Sequence, residues 1–389
     1  MSIQRHPDGP VLVVGSGLAG WSAVREFRKL DPTTEVIMLT SNNGDFYAKP
    51  ALSNALVQGK TAGQLVTTAA EKMISTLSLT LMPQTEVTGI DIATQHVITS
   101  KGSFAYRQLV LATGAQAIRL SFAGNAADEV VSVNSLDDYE VFRQMLAPKA
   151  RVLIMGAGLI GCEFANDLAA SGYSVQVVDP SPAPLATLLP AEASAELKAS
   201  LSELGVQWHF GTSVTEMNRV NDAIAIQLAN AQTTTVDVVL SAIGLRADMA
   251  LAQTAGITTD RGIVVDSHLQ TSAPHVFALG DNAQYASASL GGVSRTLPYV
   301  MPIMNAARAL AQTLNGTSTE VRFPLMPVAI KTPALPLIVA AAAPGTAGEW
   351  RTQEEGIWHF IDTEARVRGF VLSGPQVSRR AEQVKLVSV

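Results

Sequence analysis

Two glycine-rich stretches decide the fold of this chain, Gly15-Ser16-Gly17-Leu18-Ala19-Gly20 and Gly156-Ala157-Gly158-Leu159-Ile160-Gly161. Each follows a short apolar run and precedes a segment with helical periodicity, so each predicts a strand, a tight turn and a helix. Such glycines let the backbone approach a pyrophosphate at the N-terminus of the helix. One match would be weak evidence. Two of them, about 140 residues apart, predict two bound dinucleotides and a protein that moves electrons between them.

Composition and charge narrow the class of protein. The chain has 389 residues and a net charge of −6, with 47% hydrophobic and 15% charged residues, which is typical of a sheet-rich α/β enzyme of two or three domains. The acidic balance argues against nucleic acid as a partner. The first residues do not resemble a signal peptide, and the apolar residues 335–343 are too few to cross a bilayer. We therefore expect a cytoplasmic protein without a membrane span.

The single cysteine, Cys162, limits the redox chemistry that the chain can perform. It excludes both an internal disulfide and a Cys-x-x-Cys relay, and we expect it to pack a helix against a sheet. The histidines show no metal-ligand spacing. No metal site is predicted.

The order of the motifs predicts two nested units. A strand–helix–strand segment begins at Val11, and a small antiparallel excursion follows near residues 87–100. The second glycine motif comes next, and later apolar segments return to the first unit. The predicted fold class is α/β, with two nested Rossmann-like dinucleotide-binding domains plus a small C-terminal α+β domain. The expected ranges are 1–114 and 246–321 for the first domain, 115–245 for the second and 322–389 for the third.

Three element boundaries in the later part of the chain are also predicted. Residues 236–243 form one apolar strand that Gly244 closes, and a helix covers residues 304–314. The helix after the second glycine motif ends at a glycine cap at Gly172.

Asp179 distinguishes the second glycine motif from the first. It ends the strand that follows the motif, 18 residues after Gly161. A carboxylate there accepts hydrogen bonds from the adenosine ribose hydroxyls and repels a 2′-phosphate. No arginine follows to bind such a phosphate, so we expect NADH rather than NADPH. The alternative is that Asp179 only caps a turn.

The first glycine motif lacks this carboxylate, because its second strand ends at Thr40. Ribose binding there must use other contacts. Two further stretches mark it as the flavin site: Ala112-Thr113-Gly114 closes one later strand, and Gly280-Asp281 closes another.

The order of these motifs resembles the two-dinucleotide-binding-domain flavoprotein family. In that family the first unit binds FAD and the inserted unit binds NAD(P)H. The aspartate of the Gly-Asp pair binds the flavin ribityl chain, a role that falls to Asp281 in this sequence. Longer stretches are closer still to the bacterial rubredoxin–NAD reductases; they are residues 47–53, residues 158–168, Tyr299-Val300-Met301-Pro302 and Lys331-Thr332-Pro333.

Together, the motifs and the resemblance imply two sets of binding residues. The set expected for FAD is Gly15, Ser16, Gly17, Leu18, Ala19, Gly20, Lys49, Pro50, Ala112, Thr113, Gly114, Gly280, Asp281 and Lys331. The set expected for NADH is Gly156, Gly158, Leu159, Ile160, Gly161, Glu163, Asp179 and Gly244.

Three charged side chains are expected to tune the reaction. Glu163 follows the second motif by two residues and should point towards the nicotinamide–flavin contact. A lysine near flavin N5 would stabilise the reduced anionic flavin and pair with Glu163. Lys331, alone in an apolar stretch, is the first choice, and Lys49 in the first-domain loop is the second. The alternatives are a helix acid favoured by the dipole and ordinary surface lysines.

A flavin exchanges a hydride with NADH and single electrons with iron–sulfur or rubredoxin-type centres. Together with this chemistry, the resemblance implies electron transfer from NADH to rubredoxin or a similar small acidic one-electron carrier, and it implies a pathway such as alkane hydroxylation or oxygen detoxification. The tail from Arg366 has five basic residues and one acid, and this +4 predicts either a docking face or a solvated surface.

Two other functions stay open at this stage. The acceptor could be a ferredoxin or a rubredoxin-like domain of a larger protein. Alternatively, the chain could be an NADH-responsive flavoprotein that signals to a binding partner, as the apoptosis-inducing relatives of this superfamily do.

Overall fold

The computed structural model of the chain describes residues 9–286 and 293–388. The chain divides into two compact units. Unit 1 contains Met1–Ala48, Val66–Gln116 and Arg246–Met326, of which residues 1–8 and 287–292 lie outside the described ranges. Unit 2 contains Lys49–Leu65, Ala117–Leu245 and Pro327–Val389.

Strands outnumber helices in the described ranges. The strands, in chain order, are β1 (Val11–Val14), β2 (Val36–Leu39), β3 (Thr80–Met82), β4 (Val87–Asp91), β5 (His96–Thr99), β6 (Gly102–Ala105), β7 (Gln108–Leu111), β8 (Ala115–Ala117), β9 (Arg151–Met155), β10 (Ser174–Asp179), β11 (Gln207–Phe210), β12 (Val214–Val220), β13 (Ala223–Leu228), β14 (Thr233–Val236), β15 (Val238–Ser241), β16 (Leu245–Ala247), β17 (Ile263–Val265), β18 (Val276–Ala278), β19 (Ala283–Tyr285), β20 (Arg295–Thr296), β21 (Val328–Ile330), β22 (Leu337–Ala340), β23 (Gly348–Glu354), β24 (Ile357–Asp362) and β25 (Val367–Ser373). The α-helices are α1 (Leu18–Arg28), α2 (Ala62–Leu65), α3 (Ala70–Leu77), α4 (Leu136–Met145), α5 (Leu159–Ala170), α6 (Ala191–Glu203), α7 (Ala250–Thr254), α8 (Val300–Leu314) and α9 (Arg380–Leu386).

Unit 1 is built on a parallel sheet with the strand order β18-β7-β1-β2-β3. Its central strands β1 and β7 are apolar and almost wholly buried, as expected for a parallel sheet that is covered on both faces. Strand β18 follows the second glycine motif in sequence and yet pairs with β7. This pairing confirms that the chain returns to its first unit. The predicted antiparallel excursion is confirmed as β4-β5-β6.

Unit 2 contains a second parallel sheet, with the strand order β11-β10-β9-β15. Helix α5 follows β9 and ends where Gly172 adopts a positive φ of 86°, which confirms the predicted glycine cap. An antiparallel sheet, β21-β22-β25-β24-β23, and the short helix α9 form the small C-terminal α+β part.

The segment Lys49–Leu65 belongs to unit 2, whereas the sequence pattern predicted it in the first domain. Hydrogen bonds to two residues far along the chain explain the difference. Asp167 accepts hydrogen bonds from the N–H groups of Leu56 and Val57, and the Lys331 side chain donates to the Pro50 carbonyl. Which cofactor each unit binds remains a prediction.

Two predicted element boundaries are wrong, for local reasons. The expected strand 236–243 is two strands, β14 and β15, which separate at Asp237. The Asp237 carboxylate forms an ion pair with the Arg151 side chain, with an N–O distance of 2.6 Å. Helix α8 begins at Val300 rather than at residue 304. Pro302 lies in its first turn, where a missing N–H costs no helical hydrogen bond.

Candidate functional site

The glycines of the first motif differ in what a side chain would meet. Gly15 has a φ of +107°, and a Cβ there would overlap the Ala112 carbonyl; a Cβ on Gly20 would overlap the Gly15 carbonyl. Both residues are therefore required by the packing of the turn. A Cβ on Gly17, at the N-cap of α1, would meet nothing within 4 Å. The open space lies where a helix N-terminus receives a phosphate, so these residues fit a dinucleotide.

The second motif repeats this arrangement within unit 2. Gly156 has a φ of +103°, and a Cβ on Gly161 would overlap the Gly156 carbonyl. A Cβ on Gly158, the N-cap of α5, would again meet nothing within 4 Å. Both glycine turns therefore leave the same free space in front of a helix, and we call them the first and second open turns.

The edge of the first open turn is lined by hydroxyl and amide groups in place of a carboxylate. Ser16 Oγ lies 2.8 Å from Thr40 Oγ1 and donates to Asn42 Oδ1 at 3.0 Å. Asn42 Oδ1 also accepts from the N–H of Gly44 at 2.9 Å. Asn42 was not among the residues predicted from the sequence, although its position two residues after a strand, at a hydroxyl-rich turn, is a usable signal.

Asp179 ties the end of β10 to the second open turn. Its Oδ2 accepts from the Ala157 N–H at 2.6 Å, and its Oδ1 accepts from the Ser181 N–H at 2.7 Å. The carboxylate thus caps a turn, which is the alternative that the sequence left open beside the expected ribose contact. An ionised carboxylate has acceptor sites for about four hydrogen bonds, so ribose binding by Asp179 remains a prediction that these contacts allow. Gly244, after β15, has a φ of +114°.

The turn after β18 carries the predicted Gly280-Asp281 pair. Gly280 has a φ of +93°, and a Cβ there would come within 2.7 Å of the Ala19 Cβ. Its N–H donates to the Tyr285 hydroxyl at 2.7 Å. The turn therefore lies directly against the start of α1 in unit 1, next to the first open turn. The binding roles of Asp281 and of Gly114, which has a φ of +75°, remain predictions.

A polar cluster in unit 2 is centred on Glu163, which is 3% exposed. Its Oε2 lies 2.6 Å from Lys331 Nζ, and its Oε1 accepts from the Lys331 backbone N–H at 3.0 Å. Ser53 Oγ donates to the same Oε2 at 2.5 Å. Lys331 Nζ also donates to the Pro50 carbonyl and to Ser53 Oγ, so its three N–H groups all have acceptors in the protein.

The contact that was expected between Glu163 and Lys331 is therefore present. Lys49, the second choice, donates from Nζ to Asn134 Oδ1 at 3.1 Å. The catalytic roles of all three residues remain predictions. Ser53 was not predicted as a member of the cluster, because a serine hydroxyl has no periodicity or spacing that would single it out.

The buried face of α5 carries two more polar side chains beyond Glu163. Asn166 Oδ1 accepts from the Ala334 N–H at 3.0 Å, and Asp167 accepts from the Leu56 and Val57 N–H groups at 2.9 and 3.0 Å. Burial raises the pKa of Asp167 above its usual range. The spacing i, i+3, i+4 in an otherwise apolar helix could have shown that these side chains share one face.

Cys162 is fully buried on the same helix, as expected for a residue that packs a helix against a sheet. Burial also raises the pKa of its thiol, which opposes thiolate formation. In the ranges 9–286 and 293–388, no group of three His, Cys, Asp or Glu side chains could bind a metal ion. No helix of those same ranges is long and apolar enough to cross a membrane.

The net charge of +4 predicted for the tail from Arg366 does not describe the surface that this tail forms together with the segment before it. Residues 348–388 contain six basic and six acidic residues, because the segment just before the tail is acidic. The ion pairs join Arg351 to Glu349, Arg366 to Asp362 and Glu364, Arg368 to Asp362, and Arg379 to Glu354 and Glu382. The expected +4 face is therefore largely neutralised. In this part of the described chain, Arg380 and Lys385 are exposed and form no ion pair.

Two family models match the chain. The model described as pyridine nucleotide-disulphide oxidoreductase matches residues 9–312, and the model described as rubredoxin binding C-terminal domain matches residues 320–387. The second match covers the small α+β part of unit 2. Together these matches confirm the resemblance that the motifs indicated.

Curated relatives and solved structures extend this likeness over almost the whole chain. The rubredoxin-NAD(+) reductase of Acinetobacter baylyi is 43% identical over 97% of this chain and 98% of its own length. The nitric oxide reductase FlRd-NAD(+) reductase of Aeromonas salmonicida is 39% identical over 95% and 94%. The ferredoxin reductase for the CYP199A2 system of Rhodopseudomonas palustris is 26% identical over 98% and 96%, with a TM-score of 0.87. The chain belongs to the pyridine nucleotide-disulphide oxidoreductase family.

Proposed function

We propose that this protein is a flavoprotein reductase that takes a hydride from NADH and passes the electrons one at a time to rubredoxin. One observation carries the proposal: the C-terminal residues 320–387 match a rubredoxin-binding domain. The open glycine turn in each unit supports it. Two dinucleotide sites and a carrier-binding segment are what such an enzyme needs.

FAD, when bound, supplies the chemistry that converts a hydride into single electrons. The protein contributes binding. We assign FAD to the first open turn in unit 1 and NADH to the second in unit 2. At each turn the N-cap glycine leaves the helix N-terminus accessible to a pyrophosphate. In unit 2, the Asp179 carboxylate is held at the edge of the turn by the Ala157 and Ser181 N–H groups, where it can accept from ribose hydroxyls.

The Glu163–Lys331–Ser53 cluster fixes the position of one positive charge, the Lys331 ammonium group, beside the Glu163 carboxylate that pairs with it. Glu163 accepts from both the backbone N–H and the side chain of Lys331, so the lysine is held in one orientation. Because its three Nζ–H groups already have protein acceptors, we propose that Lys331 acts on the reaction by its charge. A preorganised charge of this kind stabilises negative charge that develops during a reaction.

Thiol chemistry has no place in the proposed reaction. The chain has one cysteine, and Cys162 is fully buried. Electrons must therefore pass from the flavin to the acceptor without a disulfide relay, in contrast to the chemistry that the family description names.

Stopped-flow absorbance tests the proposed function directly. We expect NADH to bleach the flavin band of the purified protein in one rapid phase. Mixing the reduced protein with rubredoxin should restore the band with saturable kinetics and repeated turnover. Slow reduction, a long-lived charge-transfer band and no reaction with any carrier would instead support a signalling flavoprotein and contradict the proposal.

A second acceptor class follows from the relatives. The likeness to the Rhodopseudomonas palustris ferredoxin reductase keeps a ferredoxin as a candidate. A rubredoxin-like domain of a larger protein, which the sequence left open, stays a candidate, and the nitric oxide reductase FlRd in the name of the Aeromonas salmonicida relative is another. The same stopped-flow experiment with each carrier ranks them by second-order rate constant. A pathway such as alkane hydroxylation and a cytoplasmic location remain predictions from the sequence.

Asp179→Asn is expected to reduce the preference for NADH over NADPH by roughly 1–3 kcal/mol, the value of a charge-assisted hydrogen bond. The variant keeps one acceptor oxygen for the turn but loses the charge that repels a 2′-phosphate. The measurement is the ratio of kcat/KM for the two nucleotides. The control is Asp237→Asn, which removes a carboxylate paired with Arg151 in the same unit and should leave the ratio unchanged. Equal use of both nucleotides by the wild type would contradict the role of Asp179.

Arg380→Glu combined with Lys385→Glu is expected to slow carrier reduction about tenfold at low ionic strength and less at high salt. These are the exposed tail cations that form no ion pair in the described part of the tail, so they are free to attract the expected acidic carrier. Flavin reduction by NADH should not change. Lys72→Glu on α3, which is also exposed, controls for a general charge effect. A salt-independent carrier rate would show that docking uses another surface.

A further inference from the structure

Asn282 joins separate segments of the chain inside unit 1. It lies in the turn after β18 and is fully buried. Its Nδ2 donates to the Leu111 carbonyl at 3.1 Å and to Thr113 Oγ1 at 3.2 Å. Because a carbonyl can only accept, these contacts define which end of the amide faces β7. Thr113 Oγ1 in turn donates to the Asp248 carbonyl at 3.1 Å.

The segment that Asn282 holds lies against the first open turn. Leu111 ends β7, and the residues that follow include Ala112, whose carbonyl a Cβ on Gly15 would overlap. On its other side, Asn282 is two residues from Gly280, which packs against Ala19 at the start of α1. The Asn282 amide therefore connects two loops that each contact the glycine motif.

The carbonyl end of the Asn282 amide shows that stability alone would not favour an asparagine at this position. Asn282 Oδ1 is buried and has no hydrogen-bond partner among the described residues. An unsatisfied buried acceptor is destabilising, and an apolar side chain of similar shape would avoid that cost. The Leu111 carbonyl would still accept from the Leu279 N–H without Asn282. The hydrogen bonds that the Asn282 amide donates therefore matter for the position of residues 111–114 rather than for stability.

We propose that Asn282 is a positioning residue for the dinucleotide of unit 1. By joining Leu111 and Thr113 to the Gly280 turn, it sets the width of the space in front of the first open turn. This inference rests on the proposed function, in which unit 1 binds FAD. Asn282 acts through these loops and needs no contact with the cofactor.

The test is Asn282→Leu, measured by two readouts on the FAD-free protein. We expect FAD binding to weaken about tenfold, the effect of a lost pair of neutral hydrogen bonds on one loop, in a titration followed by flavin fluorescence. We expect the thermal midpoint of the FAD-free protein to stay close to that of the wild type, because the substitution also removes the unsatisfied Oδ1.

Gln284→Met is the matched control. Gln284 is also a buried amide, 3% exposed, two residues further along the chain. Its Nε2 donates to Asp260 Oδ2 at 3.0 Å and to Ser294 Oγ at 3.1 Å, and neither belongs to the glycine loops. Its substitution should lower the thermal midpoint and leave the affinity for FAD unchanged, which is the opposite pattern.

Thr113→Val provides a second route if Asn282→Leu does not fold. It removes one of the two acceptors of Asn282, so we expect FAD binding to weaken several-fold, and the double variant to lose less than the two single losses together. FAD binding as tight as the wild type in Asn282→Leu, or in Thr113→Val where only that variant folds, would overturn the inference while the proposed function stands. A wild-type protein that binds no FAD would instead overturn the proposed function and the inference with it.

Discussion

Gly17→Val is expected to give a folded but colourless protein that binds no FAD. A Cβ at Gly17 meets no protein atom within 4 Å, and the backbone φ of −73° suits a valine. The fold therefore accepts the side chain. The branched side chain would occupy the space in front of α1 that a pyrophosphate needs. The measurement is the FAD content of the purified protein, with circular dichroism to show that it is folded.

Gly63→Val is the control for this prediction. Gly63 is an exposed glycine in α2 whose Cβ would also meet nothing within 4 Å, but it is not part of a glycine motif. This variant should keep its full flavin content. Gly20→Val, by contrast, should disturb folding, because its Cβ would overlap the Gly15 carbonyl. Full flavin content in Gly17→Val would remove the first open turn from the FAD site.

Lys331→Met is expected to lower the free energy of unfolding of the protein by about 3 kcal/mol. It leaves Glu163 buried, with the Ser53 hydroxyl and one backbone N–H as its remaining donors. The expected loss is at the low end for breaking a buried ion pair, because the Lys331 side chain is 36% exposed. Urea unfolding followed by circular dichroism measures the change.

Two further variants separate this effect from an ordinary ion pair. Arg351→Met breaks a pair with Glu349 in which both side chains are more than half exposed, and it should cost at most about 1 kcal/mol. Adding Glu163→Leu to Lys331→Met removes the buried charge and should recover part of the stability. If Lys331→Met and Arg351→Met lowered the free energy of unfolding equally, the buried Glu163 carboxylate would not depend on its ion pair with Lys331.

Local patterns in the sequence were enough to predict the strands and helices around both glycine motifs. The apolar run, the tight turn and the helix are neighbours in sequence, so β1 with α1 and β9 with α5 follow from periodicity and from glycine geometry. The same holds for the nested order of the units, since the motifs occur in sequence in that order. The start of α8 differs from the predicted one because the first turn of the helix contains Pro302, which helices accept there.

The cluster at Glu163 was only partly accessible to sequence reasoning. Lys331 was selected because a lone cation in an apolar stretch needs a partner, and the structure places it on Glu163, 168 residues away. Ser53 was not selected, and Pro50 was expected to bind FAD rather than Lys331, although the Ser53 hydroxyl and the Pro50 carbonyl hold the same ammonium group. A hydroxyl and a carbonyl carry no signal in the sequence, because almost any segment offers them.

The sequence by itself determined the fold class, the two dinucleotide motifs and the carboxylate that follows the second motif. These depend on residues within one turn, one strand or one helix of each other. Only the tertiary structure decided which unit contains the segment Lys49–Leu65, how Asn282 connects two loops, and how acids such as Glu354 neutralise the tail. Such contacts join groups far apart in sequence, and their partners are chosen by chain topology and burial, which no local pattern encodes.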